Sequence, residues 1–152
     1  LAGLLVFTND VHGMGLATAQ GMLMTSAWYW DLNDDTRKFG RRFFEKMKRM
    51  PSETQGGVYS ATLSYLKAVR AAGSDDADAV MSQLKKLKIN DMFAKNAYVR
   101  GDGRMMHDVY MMEVKKPAES KYPWDYLTLK SVIPAEDAFQ PLSLSRCPLV
   151  KK

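Results

Sequence analysis

The 152-residue chain has little of what dedicated covalent or metal chemistry is built from. It carries one cysteine and two histidines. A single thiol makes neither a disulfide scaffold nor a cysteine-rich zinc site, and two histidines among scattered carboxylates spell no metal-ligand motif. No apolar run approaches the roughly 18 residues that a membrane helix needs. Internal repeats and low-complexity tracts are missing. So is the Gly-x-x-x-x-Gly-Lys-Ser/Thr loop that cradles nucleotide phosphates. Position 1 is not Met, and the chain opens directly on an apolar run, Leu1 to Phe7, without the basic segment and cleavage site of a signal peptide. That opening predicts a strand cut from something longer.

What is present is a globular composition: 46% hydrophobic, 11% aromatic and 26% charged residues, too apolar for a disordered tail. The net charge of +5 comes from 22 basic and 17 acidic side chains. Its local cluster is Arg37, Lys38, Arg41, Arg42, Lys46, Lys48 and Arg49. These alternate at helical spacing with Phe39, Phe43 and Met47, which reads as a solvated helix face rather than a phosphate-binding stripe. No interleaved exposed aromatics or nucleic-acid motif supports a nucleic-acid partner.

Along the chain, Leu1 to Thr8 reads as a buried strand, Asn9 to Gly13 as a turn, Met14 to Gln20 as a short helix and Met22 to Ala27 as a second strand. Trp28-Tyr29-Trp30-Asp31 is an aromatic connector. Asn33 or Asp34 caps a helix that runs to about Arg49 and is stopped before Pro51. A second helix opens at Gln55-Gly56-Gly57 and ends near Gly73, and a third covers residues 77–87. Tyr98 to Val114 has the pattern of a hairpin turning at Arg100 to Arg104, where Asp102-Gly103 tolerates positive φ. Tyr126 to Ile133 is a further strand, and 134–139 fits one helical turn.

The chemistry candidates are few. Gly13-x-Gly15 lacks the third glycine and the distal acid of a dinucleotide fingerprint, so a tight turn explains it better. Asp102-Gly103 lacks the alternating ligands of a calcium loop. Cys147, His12 and His107 form no nucleophile motif. Asn9, Asp10 and His12 follow the carboxyl end of the first strand, where open α/β sheets bind ligands, although turn chemistry accounts for Asn and Asp equally well. Gln55, Gly56 and Gly57 offer backbone N–H groups at a helix start, which suit a carboxylate or simply begin a helix. Trp28, Tyr29 and Trp30 form either a pocket wall or the packing at a connection. Cys147 is either a buried thiol or half of a disulfide. No catalytic residue, metal site or cofactor is expected.

Several blocks together resemble a known family: residues 7–16 (FTNDVHGMGL), 19–22 (AQGM), 27–37 (AWYWDLNDDTR), 55–61 (QGGVYSA), 93–96 (FAKN), 101–108 (GDGRMMHD) and 147–152 (CPLVKK). They are similar to the ABC-transporter substrate-binding proteins of the branched-chain amino acid type, and closest to the subgroup associated with amino acids and aromatic acids. The resemblance covers essentially the whole chain. It implies an α/β fold, part of a two-lobe type I periplasmic-binding-protein architecture with three-layer lobes and mostly parallel sheets, incomplete in this chain. It also implies a periplasmic, non-enzymatic receptor that closes over a small ligand and presents it to a membrane permease, made with a signal peptide in its precursor. A ligand-sensing domain of a receptor or regulator is the alternative use of the same fold.

By position, the resemblance implies that residues 1–27 are the last strand–helix–strand of the second lobe. Residues 28–105 would be helices and the first hairpin arm of the first lobe, and 106–152 the return to the second lobe and a tail. Asn9 and Asp10 match the turn that presents an acid to a ligand ammonium, although relatives place the acid close by in a slightly different order. Thr54, Gln55 and Gly56 match a cleft-lining stretch, and Trp28, Tyr29 and Trp30 a hinge or cleft wall. The family's main carboxylate-binding loops would lie upstream of Leu1, as would a disulfide partner for Cys147. The missing part, or a second copy of the chain, would then cover Leu1–Phe7 and Met22–Ala27.

Overall fold

The computed structural model describes residues 1–148 and 150, and these separate into two compact units. The first unit comprises residues 1–56 and 109–133. Its sheet runs in the order β1-β2-β6-β7, formed by β1 (Ala2–Gly3), β2 (Leu23–Ser26), β6 (Val109–Val114) and β7 (Leu127–Ile133). β1 and β2 are parallel, with Ala2 opposite Leu23, whereas β2–β6 and β6–β7 are antiparallel. The sheet is therefore mixed, and the mostly parallel arrangement expected of whole lobes is not what these strands form. Period-two alternation turns Met24, Met112 and Val114 into the interior. A bulge between Met111 and Met112 shifts the register against β7.

The expected strand over Leu1 to Thr8 shrinks to two residues. Leu4 and Leu5 lie in a bend and are almost fully exposed, so the apolar run is not a buried strand here. Thr8 instead begins helix α1 (Thr8–Met14), which absorbs Asn9 and Asp10 into its first turn rather than leaving them in a loop. The cause is local: the Asp10 carboxylate accepts the Phe7 N–H at 2.8 Å, satisfying a donor at the helix start where a negative charge is also favoured. Gly15, at φ 78°, breaks α1 from α2 (Leu16–Ala19). The expectation that Met22–Ala27 needs an outside cover is corrected as well. β2 is flanked on both sides by strands of this chain, and β1 and β7 are the edges.

Helix α3 (Asp34–Met47) starts where expected. Asn33 Oδ1 accepts the Thr36 N–H at 3.1 Å, and Thr36 Oγ1 accepts the Asn33 N–H at 3.0 Å. The helix ends at Lys48 in the left-handed region, φ 56°. Lys38, Arg41, Arg42, Lys46, Lys48 and Arg49 are exposed, while Phe39 and Phe43 turn inward. Gly40 lets the helix approach Trp30 closely, since a Cβ there would lie 3.3 Å from the Trp30 Cβ.

Helix α4 (Glu53–Ala72) begins in the first unit and continues into the second, which comprises residues 57–108 and 134–152. It opens two residues before Gln55. The amide oxygen of Gln55 reaches back to accept the Ser52 N–H at 2.8 Å, as in a capping box. In the second unit, α5 (Ala77–Leu84) is capped by Asp76, whose carboxylate accepts the Ala79 N–H at 3.0 Å. β3 (Lys88–Ile89), β4 (Ala97–Val99) and β5 (Met105–Met106) form an antiparallel sheet in that order. The turn at Arg100–Arg104 forms as expected, with Gly103 at φ 84° and the Arg100 N–H donating to the Arg104 carbonyl at 2.8 Å. The long arm does not stay one strand. β5 pairs in the second unit and β6 in the first, with His107 and Asp108 between them. α6 (Ala135–Ala138) is the single turn expected after Pro134, and its first N–H donates to Asp108 at 3.2 Å.

Candidate functional site

The expected ligand-facing residues all fall in the first unit. Asp10 is exposed, and one of its oxygens is spent on the Phe7 N–H. Asn9 is partly buried, and its Oδ1 is a buried acceptor without a partner among the described residues. Such an atom costs about 1–3 kcal/mol relative to a satisfied one, so it marks a place where a donor is wanted. His12 leaves this pair and stacks on Trp124, ring centroids 4.0 Å apart, with Nδ1 2.7 Å from the Tyr126 hydroxyl.

At the start of α4, Thr54 is exposed and Gln55 is half-buried. The Gly56 N–H is not free for a carboxylate, because it donates to the Ser52 carbonyl at 3.3 Å. The Gln55 side chain is likewise occupied, accepting from both the Ser52 N–H and the Ser52 hydroxyl at 2.8 Å. Among the described residues no hydrogen bond joins Asn9 or Asp10 to Thr54, Gln55 or Gly56.

The residue that sequence reasoning missed here is Glu53. Its Oε2 accepts the Ala27 N–H at 2.5 Å and is 2.6 Å from the Ser26 hydroxyl, tying the first turn of α4 to the end of β2. Glu53 lines a cavity of about 120 Å³ together with Val6, Phe7, Ser26, Ala27 and Val109. In the sequence Glu53 looks like an ordinary acid complementing a helix dipole. Nothing local signals that β2 ends against it.

Trp28, Tyr29 and Trp30 are all buried in the first unit. Trp28 meets Phe39 edge-on, at a centroid distance of 5.8 Å. The Tyr29 hydroxyl and the Trp30 indole N–H both donate to the Trp124 carbonyl, at 2.9 and 3.1 Å. Burial raises the Tyr29 phenol well above its ordinary range. Trp124 itself sits at φ 70°, a conformation that non-glycine residues adopt only when their surroundings hold them there. Nearby, the Tyr122 hydroxyl donates to Asp31 at 2.5 Å, and Asp31 also pairs with Arg37 at 2.5 Å. Buried Asp125 pairs with Lys115 and accepts the Lys121 N–H at 3.0 Å.

In the second unit, Asp102 is held by Arg100 through two N–H···O contacts of 2.8 and 3.0 Å. That hydrogen bonding, more than any other cause, holds its carboxyl down at about 2. Cys147 is a partly buried free thiol beside a surface depression that Asp102, Arg104 and Ser145 also line. Among the described residues no cluster of three or more His, Cys, Asp or Glu side chains is placed to hold a metal, and no helix is long and apolar enough to cross a membrane. Of the block at 147–152 that entered the family resemblance, Leu149, Lys151 and Lys152 lie outside the described residues.

The chain is similar to known proteins. Residues 1–121 match the family model described as periplasmic binding protein. A comparison with curated proteins gave no match. Among solved structures, a periplasmic binding protein from Burkholderia mallei is similar over 99% of this chain at 54% identity, with a TM-score of 0.96. A branched-chain amino acid ABC transporter periplasmic ligand-binding protein from Burkholderia xenovorans is similar over 97% at 41% identity and a TM-score of 0.92. A solute-binding protein of an ABC transporter from Rhodopseudomonas palustris, solved with 3,4-dihydroxybenzoic acid, shares the fold at 14% identity over 78%, with a TM-score of 0.65. The chain spans 40% of the length of each Burkholderia protein. On the family match and on these identities, the chain belongs to the periplasmic binding protein family.

Proposed function

We propose that this chain is the C-terminal portion of the periplasmic solute-binding component of an ABC importer. Its ligand is an amino acid or a small aromatic acid, taken up in a cleft between two lobes and delivered to a membrane permease. The observation that carries the reading is the 54% identity to a periplasmic binding protein over nearly the whole chain. The 41% identical relative, a branched-chain amino acid ABC transporter ligand-binding protein, points the same way. In this reading the chain contributes to both lobes, with the boundaries at 27/28 and 105/106 that the resemblance implies, whereas the compact units divide at 56/57, 108/109 and 133/134. Trp28, Tyr29 and Trp30 lie at a crossing between lobes. Asn9, Asp10, Thr54, Gln55 and Gly56 approach the ligand, and the unpaired Asn9 oxygen supports that placement. The role is binding, not catalysis, and needs no cofactor.

Calorimetric titration of the full-length protein with a panel of amino acids and aromatic acids tests the reading. Saturable binding of at least one class is expected. Asp10→Ala should weaken that binding while the protein stays folded. Absence of binding across both classes would overturn it.

A further inference from the structure

We infer that Glu53 selects the hydrogen-bond-donating end of the ligand, an ammonium or a hydroxyl group, and turns away an anionic end. The inference rests on the solute-binding reading above and adds a residue that reading does not contain. Among the described residues Glu53 is the one charged side chain lining this cavity, whose walls also carry Thr25 and Ser26 beside Val6, Phe7 and Val109. A carboxylate there attracts a hydrogen-bond donor and repels a second carboxylate.

The geometry fits selection rather than simple packing. The Ala27 N–H and the Ser26 hydroxyl both sit on Oε2, which fixes the direction of the carboxylate. Oε1 has no hydrogen bond among the described residues and is left for an incoming donor. A volume of about 120 Å³ is that of roughly four waters, enough for a head group and its neighbouring atoms but not for a whole ligand. Asp10 suits the same task less well, because it is exposed and already holds the Phe7 N–H. The Gly56 N–H, which would favour an anionic end beside Glu53, is occupied.

The experiment uses the full-length protein and two matched pairs of probes: L-leucine with 4-methylpentanoate, and 3,4-dihydroxybenzoate with benzoate. Each pair differs by the donor group. Titrations are run on wild type, Glu53→Gln, Glu53→Met and, as a packing control, Ser26→Ala, with thermal unfolding confirming that each variant is folded. The donor-bearing probe that binds wild type should lose at least tenfold in affinity in Glu53→Met and a measurable part of that in Glu53→Gln. Its donor-free partner should not weaken. Ser26→Ala should change both members of a pair alike. If the Glu53 variants bind the donor-bearing probe as wild type does, or weaken both members equally, the inference is overturned while the solute-binding reading stands. Wild-type protein that binds neither donor-bearing probe nor any member of the amino acid and aromatic acid panel overturns that reading, and this inference with it.

Discussion

The Tyr29 hydroxyl donates to the carbonyl of Trp124 at 2.9 Å and accepts the N–H of Tyr126 at 3.1 Å, so one buried side chain closes the backbone around a residue at φ 70°. Removing that hydroxyl leaves the Tyr126 N–H with its second contact, to the Trp124 carbonyl at 3.0 Å. Tyr29→Phe should lower the unfolding free energy by about 1–3 kcal/mol, measured by urea denaturation. The Trp30 indole N–H still reaches the Trp124 carbonyl, which keeps the loss to the lower part of that range.

The Tyr122–Asp31 hydrogen bond gives an alkaline signature. Hydrogen bonding to the Asp31 carboxylate, followed by burial, pushes the Tyr122 phenol up to about 12. The folded state thus retains a proton that the unfolded chain gives up near pH 10. The stabilisation is complete below about pH 10 and is lost as pH rises through about 12. Ultraviolet titration of tyrosinate should show a phenol ionising near 12. In Asp31→Asn it should ionise closer to pH 10.

Arg100 and Asp102 behave in the opposite sense. The carboxyl is held at about 2, so the contribution of this pair to the hairpin is present above about pH 4 and disappears as pH falls through about 2. A carbon-detected NMR titration should place Asp102 near 2 in the wild type. Arg100→Met, which removes both contacts, should return it toward the usual carboxylate range.

Two glycines in helices should respond with opposite sign. A Cβ at Gly13 in α1 meets nothing within 4 Å, so Gly13→Ala should stabilise by about 0.5–1 kcal/mol through helix propensity. At Gly40 in α3 the same methyl presses on the Cβ and ring of buried Trp30, at 3.3 and 3.4 Å. The overpacking should outweigh the propensity gain, with a net loss of about 1 kcal/mol. Paired thermal melts without ligand compare the two.

The sequence made the helices readable where caps and periodicity agree. The start of α3 at Asn33 or Asp34, the span of α5 and the Arg100–Arg104 turn were legible because the determining contacts lie within three or four residues. Failures came where a local cap overrides an apolar run or where a distant partner decides. Leu1 to Phe7 reads as a strand because it is apolar, yet Asp10 pulls the following residues into a helix and only Ala2–Gly3 find a strand to pair with. The two-residue β3 is too short to announce itself, and its pairing with β4 alone defines it. Glu53 stayed hidden for a related reason, since its partners Ser26 and Ala27 lie at the end of another strand. The expected roles of Asn9, Asp10, Gln55 and Gly56 came from their places at a strand end and a helix start together with family resemblance, which transfers positions but not hydrogen bonds.

The placement of β2 between β1 and β6 has a consequence for synthesis. Leu23 to Ser26 leave the ribosome well before their antiparallel neighbours Glu113 to Tyr110, which follow only after α3, α4, α5 and the second sheet have been made. Until then β2 carries an open side, and Met24 lacks the Met112 it faces across the ladder. Closing so large a loop is entropically slow. The first unit is therefore completed from its far end. A chain stalled before Val109 leaves β2 as an adhesive edge, so the quality of the nascent protein depends on how fast the segment from Val109 onward arrives.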